Sequence, residues 1–198
     1  ESDGAADPSF TARTITTSAD GARSVYAADI DNDGDIDVLS ASTLDNKIAW
    51  YESDGAADPS FTARTITTSA DGAISVYAAD VDNDGDMDII SASYSDDKIA
   101  WYESNGAADP SFTARTITTS ADGPRSVYAA DIDSDGDIDV LSATYFDNKI
   151  AWYENGLSAF GDPTFGSANI TTSADAAASV YAADIDNDGD LDVVSASY

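Results

Sequence analysis

DIDNDGDID, Asp29 to Asp37, is the stretch on which the reading of this chain turns, because it returns three times: DVDNDGDMD (Asp80 to Asp88), DIDSDGDID (Asp131 to Asp139) and DIDNDGDLD (Asp184 to Asp192). Every copy reads D-x-D-x-D-G-x-x-D. Carboxylates at positions 1, 3 and 5 of a tight turn converge on one centre, and Gly at position 6 permits the sharp bend. A backbone carbonyl serves at position 7, and a last carboxylate closes the shell of a hard cation. The expected ligand sets are Asp29, Asp31, Asp33, Asp35 (through its carbonyl) and Asp37; Asp80, Asp82, Asp84, Asp86 and Asp88; Asp131, Asp133, Asp135, Asp137 and Asp139; and Asp184, Asp186, Asp188, Asp190 and Asp192.

An EF-hand shares the first six positions but needs Glu at position 12 and a helix on each side. Here position 12 is Ser40, Ser91, Ser142 and Ser195. The flanks, SVYAAD before and DVLSAS or DIISAS after, are short and rich in β-branched residues, so the loop is expected to join two strands of a hairpin. An all-oxygen donor set without His or Cys favours calcium, about four ions in all, over magnesium or manganese. The alternative is an acidic, solvated turn without an ion, and four repeats of the full spacing argue against it.

The chain has 198 residues, 42% of them hydrophobic, which suffices for a sizeable core. Its net charge of −30 comes from 38 acids against 8 bases. That surface repels nucleic acid and anionic membranes, and the few bases form no patch, so neither partner is expected. With no Cys and no His, disulfides, thiol nucleophiles, imidazole bases and zinc sites drop out. No apolar run approaches the ~18 residues of a membrane span. The ion points outside the cell, where calcium meets the weak affinity of extracellular loops, about 10⁻⁴ to 10⁻³ M. The chain begins with Glu1 and shows no signal peptide, which is expected of a processed product or a piece of something longer.

Superposing the loops gives a repeat of 51 residues: 1–51, 52–102, 103–153 and an incomplete 154–198, together one domain. Repeats one and two are identical at 43 of 51 positions. A period near 50 with several short strands per unit marks a propeller blade rather than a helical repeat. Within repeat one, ESDGAADPS with Gly4 and Pro8 is turn chemistry, and FTARTITTS from Phe10 reads as a polar strand. SVYAADI from Ser24, DIDVLSAS and KIAWYE from Lys47 complete four strands. Repeat four opens with the longer ENGLSAFGDPTF and lacks the counterpart of SDDKIAWY. Its Asn169-Ile170-Thr171 triplet is a glycosylation acceptor only in a source that glycosylates.

SVYAADIDNDGDIDVLSAS with the following KIAWYE resembles the FG-GAP and VCBS repeat family, relatives of the integrin α-subunit propeller, and the resemblance covers essentially the whole chain. It implies an all-β propeller of four-stranded antiparallel blades, each taking its outermost strand from the next repeat. It places calcium on the bottom face, between the first and second strands of a blade, and ligands on the top face. Four copies fall short of the usual seven or so blades. The expectation is therefore a sector of a larger ring or array, completed by more chain or by other copies.

Three functions are weighed. The first is a calcium-stabilised extracellular scaffold for adhesion or recognition of a protein or glycan, without enzyme activity; four like loops suit structural ions, whereas a catalytic ion keeps an open position. The second is a module of a polysaccharide-degrading enzyme, a lyase or hydrolase. Its carboxylate pair should break the repeat symmetry, yet the spare acids Asp20, Asp71, Asp122, Asp175, Glu52, Glu103 and Glu154 recur in every repeat. The third is a lectin with sugars on top-face aromatics. Variation concentrates in the turn before KIAWYE, at Thr43-Leu44, Tyr94-Ser95 and Tyr145-Phe146, which makes Tyr94, Tyr145 and Phe146 the candidate ligand face. The opposing reading is that these rings cover strand ends. Trp50, Trp101 and Trp152 recur identically and are expected to pack between blades.

Overall fold

The computed structural model describes Asp7, residues 9–157 and residues 163–198. The turn expected around Gly4 and Pro8 and part of the long opening of repeat four lie outside these residues. Among the described residues there is no helix. The first sheet joins β1 (Ala22–Ala28), β2 (Asp37–Ser42), β3 (Lys47–Ser53) and β4 (Phe61–Thr67) in that order. The second joins β5 (Ala73–Ala79), β6 (Asp88–Ser93), β7 (Lys98–Ser104) and β8 (Phe112–Thr118), and the third joins β9 (Pro124–Ala130), β10 (Asp139–Thr144), β11 (Lys149–Leu157) and β12 (Pro163–Thr171). A two-stranded sheet, β13 (Ser179–Ala183) with β14 (Asp192–Ala196), follows. All neighbours are antiparallel. The sheets succeed one another as an open series of blades and do not close into a ring.

Each blade does take its outer strand from the next repeat: Trp50 of β3 stands opposite Arg64 of β4, and Trp101 of β7 opposite Arg115 of β8. This corrects the expectation for FTARTITTS at Phe10. Its counterparts at Phe61 and Phe112 are strands, whereas residues 11–18 are not. A polar Thr-rich segment has little apolar surface to bury and becomes a strand when a neighbour supplies the ladder; within this chain no KIAWYE precedes Phe10.

The core lies between blades. Leu39, Ile48 and Trp50 of the first blade pack with Val76, Ile89 and Tyr102 of the second, and Ile90, Ile99 and Trp101 of the second pack with Val127, Val140 and Tyr153 of the third. The middle strand β6, DIISAS, is buried at all six positions, which explains its missing polar alternation: alternate residues face different neighbouring blades. Trp50 and Trp101 are almost fully buried, each removing about 150–250 Å² from water, on the order of 4–6 kcal/mol. Trp152 is less covered, because only two strands lie beyond it.

Polar groups at the seams are matched by the repeat. Ser24 Oγ accepts the Val76 N–H at 3.3 Å, Ser75 Oγ that of Val127 at 3.2 Å, and Ser126 Oγ that of Val180 at 3.4 Å. Tyr26, Tyr77, Tyr128 and Tyr181 form a ladder across the inner strands, their ring centroids 4.5, 4.9 and 4.6 Å apart. The inner strands β1, β5, β9 and β13 thus sit side by side and aim every acidic loop to the same end of the blades.

Candidate metal centre and the opposite face

Each acidic loop leaves an inner strand and returns on the next. Two residues reverse the backbone: position 4 is left-handed (Asn32, Asn83, Ser134 and Asn187, φ 58 to 62°), and the Gly at position 6 takes φ 96 to 99°. Asn tolerates the first conformation and only Gly adopts the second readily. The turn then closes on the first Asp. Asp29 Oδ1 accepts the Asp33 N–H at 3.1 Å and its Oδ2 the Gly34 N–H at 2.9 Å; Asp80 and Asp131 repeat both bonds.

Three carboxylates converge in each loop, fewer than the full expected set. Within 4.8 Å of one another lie oxygens of Asp29, Asp31 and Asp33 in the first loop, of Asp80, Asp82 and Asp88 in the second, of Asp131, Asp133 and Asp139 in the third, and of Asp184, Asp186 and Asp192 in the fourth. Positions 1 and 3 meet in every loop, joined by position 5 in the first and by position 9 in the others. In all four loops the position 5 side chain, Asp33, Asp84, Asp135 or Asp188, also accepts the N–H two residues on, at 2.8, 2.9, 2.9 and 3.0 Å. The position 7 side chains turn away from the centre: Asp86 and Asp137 accept the amide of the preceding loop's Asn, and Asp35 lies against Gly55. That leaves position 7 its carbonyl.

Position 9 has a second task that the motif alone does not reveal. Asp37 is buried; its Oδ2 accepts the Ile30 N–H at 3.1 Å and its Oδ1 the Ser53 N–H at 2.8 Å. Asp88 holds Val81 and Ser104 at 3.1 and 2.7 Å, and Asp139 holds Ile132 and Asn155 at 3.1 and 2.7 Å. One carboxylate therefore ties the loop, the second strand and the end of the third strand together.

The electrostatics are those of crowded, partly buried carboxylates. Burial, reinforced by the charge of Asp84, pushes the Asp82 carboxyl up to about 6. Burial pushes Asp88 up to about 7 in spite of its two backbone donors, with Asp82 adding repulsion. The Trp101 indole N–H faces Asp88 and favours its charge, short of hydrogen-bond geometry. Asp31 and Asp139 are raised as well, burial leading in both. Asp82 Oδ1 is buried and accepts no hydrogen bond. An orphaned oxygen beside crowded carboxylates, in a donor set of hard oxygens only, fits a divalent ion of the calcium type.

The variable turns lie at the other end, since the turn after β6 and the acidic loop before it bracket the same strand. Tyr94, Tyr145 and Phe146 come together there: Phe146 lies 5.7 Å from Tyr94 and 5.2 Å, edge-on, from Tyr145. Sequence reasoning missed a fourth member, Arg125, whose guanidinium lies 4.6 Å from the ring centroids of both Tyr94 and Tyr145. Its departure from Ile74 at the same place in repeat two was the available signal. Two of the spare acids are engaged structurally: Glu52 pairs with Arg64 at 2.7 Å and Glu103 with Arg115 at 2.6 Å, each arginine lying over the tryptophan opposite it.

Open four-stranded blades with an acidic loop at each inner hairpin define a propeller-type repeat protein. The FG-GAP-like repeat model matches residues 29–91, 83–142 and 131–195, and the chain belongs to that family. No curated protein is significantly similar to it.

Proposed function

We propose that the chain is a calcium-stabilised extracellular scaffold for recognition or adhesion, binding calcium at the acidic end of its blades and a protein or glycan ligand at the other. The observation that carries this reading is the division of chemistry between the ends. The acidic end brings the carboxylates of positions 1 and 3 together in every loop, whereas the opposite end carries the aromatic cluster that differs from repeat to repeat. Loops on a rigid sheet scaffold are where recognition concentrates. The ions are structural in this account, because the same loop recurs and its Asp also knits the strands. The engagement of Glu52 and Glu103 by arginines supports a non-catalytic reading.

Two measurements test it. Removing calcium should lower the melting temperature by many degrees, and readdition should restore it with about four ions per chain; a melting curve indifferent to chelator would sink the metal half. Replacing Tyr94 and Tyr145 together by Ala should weaken glycan or protein binding and leave calcium stoichiometry intact; equal binding by the double variant would refute the placement of the ligand face.

A further inference from the structure

We propose that Arg125 and Phe146 form a binding site for an acidic sugar, the guanidinium taking the carboxylate of a uronate and the ring taking its apolar C–H face. This rests on reading that end of the blades as the recognition face and names the ligand class it would take.

Six of the eight basic side chains pair with carboxylates. Arg125 does not pair with any carboxylate among the described residues, in a chain holding 38 acids. Its partners are instead the faces of Tyr94 and Tyr145. Its Nε is buried without a hydrogen bond, and its terminal nitrogens meet no acceptor among the described residues. Two rings thus fix the plane of a guanidinium whose outer edge is left to solvent. That edge presents two parallel N–H donors, the geometry that suits a carboxylate, and orienting it in advance reduces the ordering cost of binding.

Phe146 packs against the same two rings that hold Arg125 and is 56% exposed. An exposed aromatic ring next to a lone guanidinium asks for a ligand with an anion and an apolar face in the same small unit, which a uronate supplies. The net charge of −30 selects further. A peptide or polymer dense in negative charge is repelled over about a Debye length of 8–10 Å, whereas a single carboxylate is repelled far less and gains the attraction of the guanidinium. The site belongs to one blade junction: the matching position is Ile74 in repeat two and Ala178 in repeat four. Arg23 of repeat one matches in type but is exposed and has Leu44 in place of Phe146.

The test is an NMR titration of the calcium-loaded chain with glucuronate and galacturonate, with glucose and acetate as controls. Both uronates should shift resonances around Arg125 and bind at least tenfold more tightly than either control. Arg125→Ile installs the residue that repeat two carries, so the fold accommodates it, and should abolish uronate binding; Arg125→Lys should weaken it roughly tenfold. Phe146→Ser, after Ser95, should bring the uronate down to the level of acetate. Binding unchanged by Arg125→Ile overturns the proposal, as does acetate binding as well as the uronates. Glucose binding equally well overturns the acidic specificity and leaves the recognition face standing. An acidic peptide that binds there while the uronates are silent also overturns the sugar and keeps the face. Silence from every sugar, carboxylate and peptide, with Tyr94 and Tyr145 replaceable at no cost to any interaction, overturns both.

Discussion

Asn32 of the first acidic loop donates its side-chain amide to the second loop, reaching the Gly85 carbonyl at 3.2 Å and Asp86 Oδ1 at 3.3 Å. Asn83 repeats the link to Gly136 and Asp137, both at 3.2 Å. The third loop has Ser134 there, too short for this reach, and it still holds a left-handed φ of 62°. Successive loops are therefore tied from first to second and second to third by the one residue type that suits both the conformation and the bond. Ser134→Asn should add the missing tie, raising stability by about 1 kcal/mol, or roughly 2–4 °C in melting temperature for a chain of this size. Asn83→Ser should lose a similar amount. Thermal melts of the two variants in calcium check it; equal and unchanged midpoints would remove the link from the account.

A double-mutant cycle probes the same contact from the other side. A Cβ on Gly106 would stand 1.9 Å from Asp86 Oδ2, and Gly106 has φ +63°, so Gly106→Ala displaces the carboxylate that receives Asn32. Its cost should shrink by about 0.5–1 kcal/mol in an Asn32→Ser background, since the bond it disturbs is already gone. Gly189→Ala, where a Cβ meets nothing within 4 Å, strains the backbone alone, in a loop that Asn32 does not reach. Its cost should not depend on Asn32.

The acids of one loop should separate by role once the ion is removed. Asp88 holds two backbone N–H groups, whereas Asp84 is exposed and bonds only within its turn. In chelator at about pH 5, where Asp88 keeps its proton, Asp88→Ala should therefore still destabilise the chain by about 2–4 kcal/mol. Asp84→Ala should be neutral or slightly stabilising, because it removes a repulsive charge. In calcium both should be harmful. Denaturant midpoints with and without calcium distinguish these outcomes, and equal costs in chelator would deny position 9 its clamping role.

The architecture was legible because one blade is small and repeated: the Gly at position 6, the strand-forming flanks and a Trp every 51 residues each carry local information. Three features were not legible, and for one reason. Asn32 looks like a turn residue, and Ser134 like proof of tolerance, until blades are stacked and the amide meets the next loop. Asp37 looks like a ligand alone until Ser53, from a different strand, arrives on its other oxygen. Arg125 is one more base until the turns of two repeats bring Tyr94 and Tyr145 around it. What the sequence hides is contact between repeats, where spacing along the chain carries no register.

Without an ion the folded chain keeps the Asp88 proton to about pH 7 and the Asp82 proton to about pH 6, while in the unfolded chain both are lost near the ordinary carboxylate value of 3.8. Between these limits the folded state binds more protons than the unfolded one, so stability falls as pH rises. The fall begins just above pH 4 and ends once the pH passes about 7, when both states are ionised. Its size should be on the order of a few kcal/mol for the second loop, moderated by the partial exposure of Asp82. A bound cation takes the place of those protons, so in saturating calcium the decline should vanish and stability at neutral pH should be restored. Calcium affinity should weaken below pH 6–7 as protons compete for the same oxygens. Calcium-free protein melted in steps from pH 4.5 to pH 8, with and without added calcium, tests this. An apo chain more stable at pH 8 than at pH 4.5 would show that the crowded carboxylates are not what the ion relieves.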